Sequence, residues 1–120
     1  MIEVMEGLPD KVVGAHFSGV VKEEEYNKVL VPAIVDEVKK YGKVRLLYDV
    51  GPDFEKITRG AVLEDMKLAV DNFNSVEKIA VVSDVDWMVD AVEMFKHIMP
   101  GKVKAYGNEE LSEAETWISE

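Results

Sequence analysis

The chain contains no cysteine, which excludes disulfides, thiolate zinc sites, iron–sulfur clusters and cysteine nucleophiles together and fits a reducing cytoplasm. Histidine is nearly as scarce. His16 and His97 fall in different segments, and neither has a partner at metal or dyad spacing. His16 reads as a structural strand residue, and His97 as a surface residue with Glu93 one helical turn before it as ion-pair partner. No serine stands in a nucleophile elbow, and Gly-rich phosphate loops of the P-loop or dinucleotide type are missing. No apolar run approaches the ~18 residues that suggest a membrane span, and the opening MIEVMEG has neither the basic nor the apolar region of a signal peptide. The expectation is a cytoplasmic protein.

Basic residues are also in deficit: 14 Lys and Arg face 24 Asp and Glu, a net charge of −10. Such a surface repels polyanions, so nucleic acid is not an expected partner. The excess gathers beyond Lys104, where Glu109, Glu110, Glu113, Glu115 and Glu120 read as the solvated face of a terminal helix. At 120 residues the chain suits a single domain over 1–120. That length is enough to bury ~65% of the surface an unfolded chain exposes, without a covalent staple.

What is present is an alternation of strand and helix patterns. Ile2–Glu6 and Val12–Ser18, separated by Gly7, Pro9 and Asp10, predict a hairpin. Tyr26, Val29, Leu30, Ala33, Ile34, Val38 and Tyr41 form a helical stripe ended by Gly42, with a kink or break expected at Pro32. Val44–Val50 predicts a buried strand, followed by a Gly51-Pro52-Asp53 turn and a loop to Thr58, the N-cap of a helix over Arg59–Phe73. A strand over Lys78–Ser83, a helix capped by Asp84 or Asp86 and running to Ile98, a strand over Val103–Tyr106 and a helix over Glu110–Ile118 complete the pattern. The result is an α/β architecture with a mixed, largely parallel sheet and helices packed on it.

Asp49 and Asp84, at the ends of two predicted strands, are the first candidates for chemistry. Asp49 imitates the phosphoacceptor of a two-component receiver, but Met5-Glu6-Gly7 supplies at most one of the acidic residues that such a site needs for magnesium. Asp84-Val85-Asp86 resembles the nucleophile motif of haloacid-dehalogenase-type phosphatases, yet it lies late in the chain and continues as Trp87-Met88. Helix capping accounts for Asp84 and Asp86 more simply. No catalytic set is named, and no cofactor or metal is expected.

Several segments in order carry a resemblance: IEVMEGLPDKVVGAHFSG, YNKVLVPAI, KVRLLYDVGPDF, SDVDWM and FKHIMPGKVKAY. Together they look like the SpoIIAA-like proteins related to the STAS (sulfate transporter and anti-sigma-factor antagonist) domain, often labelled STAS/SEC14-like. The resemblance implies a β-α superhelix, commonly oligomeric, with no established enzymatic activity and a relationship to domains that bind lipids or other apolar molecules. Anti-sigma-factor antagonists carry a phosphorylatable serine in an Asp-Ser pair after the central strand. This chain has Lys56-Ile57-Thr58-Arg59-Gly60 there, so Thr58 is the one candidate phosphosite and the pair itself is absent.

The apolar content of the two middle helices exceeds what packing on a sheet requires. Trp87, Met88, Val92, Met94, Phe95, Ile98 and Met99 lie on one, and Val62, Leu63, Met66, Leu68, Val70 and Phe73 on the other. Methionines are adaptable linings for apolar ligands, but the same residues also suit a core with a homodimer interface. Trp87, in a first helical turn beyond a strand end, suits the mouth of a pocket, a hydrophobic staple, or peripheral membrane contact. The leading expectation is non-enzymatic binding of an apolar or lipid-like molecule lined by Phe54, Met66, Trp87, Met88 and Phe95, in a protein that forms a homo-oligomer, a dimer. The alternative is a STAS-type regulatory module that binds a protein partner around Thr58.

Overall fold

Side chains alternate across a strand, so each strand divides its residues between two layers. In strand β2 (Val12–Val21), Val13, Ala15 and Phe17 join the larger core, whereas Val12 joins a smaller one on the opposite side. The computed structural model describes residues 1–120. Strand β1 (Ile2–Val4) pairs antiparallel with β2, giving the expected hairpin. Strands β3 (Val44–Ile57), β4 (Val76–Val82) and β5 (Lys102–Tyr106) follow β2 in parallel, in the order β1-β2-β3-β4-β5.

Each parallel connection advances by one strand in the same direction, and right-handed crossovers then put every connecting helix on the same face. That face carries α1 (Glu23–Glu25), a π-helical turn (Tyr26–Leu30), α2 (Val31–Tyr41), α3 (Arg59–Asp71) and α4 (Asp86–Phe95). The π turn explains how Pro32 is accommodated. The chain widens just before the proline, with the Val31 N–H bonded to the Tyr26 carbonyl, so Pro32 begins a new α-helix instead of interrupting one. Gly42 ends α2 in a left-handed conformation (φ 75°) that a side chain would resist.

The expected loop after Val50 is strand instead. β3 continues through Gly51, Pro52 and Asp53, with Gly19 opposite Phe54 and Val21 opposite Ile57 across irregular register. Pairing with β4 stops at Asp49, so the extension bonds to β2 alone, and a proline is tolerated on such a free edge.

After a short 3₁₀ turn (Asn108–Glu110), α5 (Leu111–Ser119) covers the other face, with Ala114 and Ile118 buried against Val12, Leu47, Ala80 and Val82. Its last turn has no basic residue of its own. The sheet supplies the cations: Arg45 donates to the Ile118 carbonyl at 3.0 Å and Lys78 to that of Trp117 at 2.9 Å. Lys78 and Lys104 also lie over the Trp117 ring, each 4.9 Å from its centroid. These contacts satisfy helix carbonyls and oppose the negative end of the dipole.

Gly101 precedes β5 where backbone passes very close: a Cβ there would lie 2.5 Å from the Val76 carbonyl oxygen and 2.8 Å from that of Glu77. Gly101→Ala is therefore expected to cost ~1–3 kcal/mol in urea denaturation, because a backbone obstacle cannot rotate away. An unchanged midpoint would show that the turn yields freely.

Candidate functional site

From α3, Ala61 and Leu68 are buried in the core, and Val62, Asp65, Met66, Leu68 and Ala69, with the C-cap Asn72, line the space beneath the helix. Across from it, α4 contributes Trp87, Met88, Ala91, Val92 and Phe95. The two helices do not close over the strands, and a cavity of about 380 Å³ remains between them, floored by Leu46, Tyr48, Val50, Ile79 and Val81. Met66 and Trp87, each more than half exposed, stand at the rim. The lining is almost wholly apolar: Asp65 is its only ionisable carboxyl, and neither lysine, arginine nor histidine reaches it.

Asp65 does not stand alone. The Tyr48 hydroxyl donates to its Oδ1 at 3.3 Å, and the Tyr26 hydroxyl lies beside the same carboxyl. Both phenols are held by packing around Phe17, whose ring centroid lies 5.3 Å from that of Tyr48 and 6.0 Å from that of Tyr26. Tyr26 comes from the π turn and is 1% exposed. Burial pushes the Asp65 carboxyl up to about 6, against the Tyr48 hydrogen bond and the nearby Tyr26 hydroxyl, which favour the ionised form. Burial, reinforced by the neighbouring Asp65 charge, raises both phenols, so they remain protonated donors. Asp65 is half-buried and lines the cavity.

Met66, Trp87, Met88 and Phe95 are thus brought together as expected. Phe54 is not with them. It lies on the β3 extension opposite Gly19 and packs against the core from there, because the segment read as a loop is strand. Thr58 caps α3, its hydroxyl accepting from the Ala61 N–H at 3.2 Å. The two strand-end aspartates have separate partners. Asp49 Oδ2 lies 2.9 Å from His16 Nδ1, while Asp84 accepts from the Asn108 N–H at 3.0 Å, so it caps the 3₁₀ turn and not α4. His16 therefore does have a charged partner, brought to it by strand register, which no sequence spacing reveals. The pair points away from the cavity, since His16 alternates with Ala15 and Phe17. Glu93 pairs with Lys96 and not with His97. No group of three or more His, Asp or Glu side chains is arranged to hold a metal ion.

Sequence reasoning missed Asp65, Tyr26 and Tyr48 as a unit. The available signal was a lone acid on the sheet-facing stripe Ala61–Asp65–Leu68–Asn72, where helical periodicity calls for an apolar residue.

The sequence model of the SpoIIAA-like family matches residues 12–119. Among solved structures, the chain is similar to an uncharacterised protein with a SpoIIAA-like fold from Shewanella loihica, with a TM-score of 0.74 at 18% identity, covering 98% of this chain and 92% of that one. No curated protein matches.

Asp65 makes stability depend on pH in a definite direction. Its carboxyl is near 6 when folded and near ~3.9 when unfolded, so between these values the native state binds more protons and stability falls as pH rises. Asp65→Asn, which can still accept from Tyr48, is expected to raise unfolding free energy by ~1–2 kcal/mol at about pH 8, after a discount for partial solvation. The gain should vanish below about pH 4, where the wild-type acid is neutral in both states. Denaturant titrations across this range check it, and a gain of constant size would exclude the buried-carboxylate origin.

Proposed function

Because this chain belongs to the SpoIIAA-like family, whose fold leaves chemistry to the site, we propose that it is a non-enzymatic domain that binds an apolar, lipid-like small molecule between α3, α4 and the sheet. The cavity carries this reading. Its roughly 380 Å³ is at the lower end of the ~300–1,000 Å³ of small-molecule sites and well above the ~150 Å³ that takes one benzene. An apolar lining with a single polar cluster matches the usual division between affinity and orientation in such sites. The His16–Asp49 pair, the one dyad-like arrangement, is separated from this cavity by the sheet. A relationship to STAS/SEC14-like domains fits the same reading, as does a cytoplasmic protein that meets membranes only peripherally. With a net charge of −10, any such contact would use the apolar rim around Trp87 in place of anionic headgroup attraction.

A second reading, self-association as a dimer, draws on Leu63 and Val70 of α3, Met94 of α4 and Ile98 of the turn after it, all well exposed. It is compatible with the first. The STAS-type alternative, a protein partner docking around Thr58, draws less support, because the Thr58 hydroxyl is already engaged as the cap.

Native mass spectrometry of the purified protein, followed by organic extraction, tests the leading reading directly. Trp87 is at the rim and Trp117, the other tryptophan, is on the opposite face. In a Trp117→Phe background, Nile red or an extracted ligand should quench or blue-shift Trp87 emission. Ala69→Trp, which fills the cavity, should weaken Nile red binding about tenfold or more while circular dichroism is unchanged. No binding to wild type, or undiminished binding to the filled variant, would sink the reading.

A further inference from the structure

On the premise that the cavity takes an apolar ligand, its polar cluster restricts what the ligand's other end can be. Tyr48 directs its hydroxyl hydrogen to the Asp65 carboxyl at 3.3 Å, and the Tyr26 hydroxyl lies beside the same carboxyl. A phenol has one hydrogen to give, and an ionised carboxylate has none. What Asp65 and Tyr48 can still offer an incoming molecule is acceptors: the remaining carboxylate lone pairs and those of the Tyr48 phenol oxygen. Asn72, the other polar residue of the lining, gives a side-chain N–H to the Leu68 carbonyl at 2.9 Å. No Lys, Arg or His reaches the cavity to neutralise an anion.

We propose that the cavity selects an apolar molecule whose polar end is a hydrogen-bond donor without negative charge, a hydroxyl or a protonated amine, received by Asp65 between Tyr48 and Tyr26. A carboxylate or phosphate brought to the same place would meet a like charge with no cation to offset it. An ester or bare alkane could fill the apolar part but would give the acceptors nothing to hold. A donor head group makes a charge-assisted hydrogen bond in a largely dry site, where such bonds are strong. The aromatic packing around Phe17 fixes the acceptors before the ligand arrives, which limits the ordering cost of binding.

The test is displacement of Nile red from the whole protein at about pH 7.5 by decanol, decylamine, methyl decanoate and decanoate, which share a chain and differ in the head group. Decanol and decylamine are expected to compete about tenfold better than the other two in wild type. In Asp65→Asn the advantage of decylamine over decanoate should shrink to within roughly threefold, and Tyr48→Phe should alter head-group ranking while Nile red itself still binds. Equal competition by all four compounds, or a ranking unaffected by both variants, would overturn the head-group assignment yet leave apolar binding intact. Tighter binding of decanoate would overturn it outright. If Nile red fails to bind wild type at all, the underlying reading of the cavity fails with it.

Discussion

A parallel sheet that advances strand by strand in one direction has no choice about where its helices go: crossovers of constant hand place them all on one face. Here the π turn with α2, then α3, then α4 crowd onto the side of β2–β4 that carries Ala15, Phe17, Leu46 and Val50. The opposite side receives only α5 and the segment around Met5 and Leu8. The two cores are correspondingly unequal. α5 is fixed by cations from the sheet and by buried Ala114 and Ile118, whereas α3 and α4 share a wider layer whose middle they do not fill. The cavity is thus a consequence of topology combined with the side chains at its edges. Small residues, Ala69 on α3 and Ala91 on α4, face the space from either side.

Much of this was legible because strand and helix periodicities differ. The order of elements, the hairpin, Gly42 as a terminator and Thr58 as an N-cap all follow from local patterns that tertiary structure leaves in place. The β3 extension did not follow, because Gly-Pro-Asp is a turn signal only when nothing pairs with it, and β2 lies alongside to pair. Nor did the π turn: a proline predicts disturbance, but whether the chain kinks, breaks or widens depends on what packs beneath, here the buried Tyr26 and Leu30.

The site was half legible for the same reason. Of the five apolar residues expected to line a ligand site, Met66, Trp87, Met88 and Phe95 border the cavity, since an excess of apolar side chains on two consecutive helices must face something. The fifth, Phe54, failed with the loop on which it was placed. Two side-chain pairings that sequence spacing misses, His16 with Asp49 and Tyr48 with Asp65, join different elements. Register in one case and helix rotation in the other create these contacts, and neither is encoded as a spacing along the chain.

Asp65 ties the energetics of the fold to the chemistry of the cavity. Burial raises its affinity for a proton, and the same poor solvation that does so leaves its unshared lone pairs available to any other donor that can reach them. Tyr48 relieves part of that cost, but it contributes one hydrogen to a group with room for about four. A cavity lined only with leucine and valine would be a stabler fold and an indiscriminate one. Placing a carboxylate there at a cost to the empty protein gives an uncharged or cationic donor an advantage that an anion or an ester lacks. On the proposed reading, the destabilisation of the empty state and the selectivity of the filled one are therefore a single property of Asp65, measured once by proton binding and once by ligand binding.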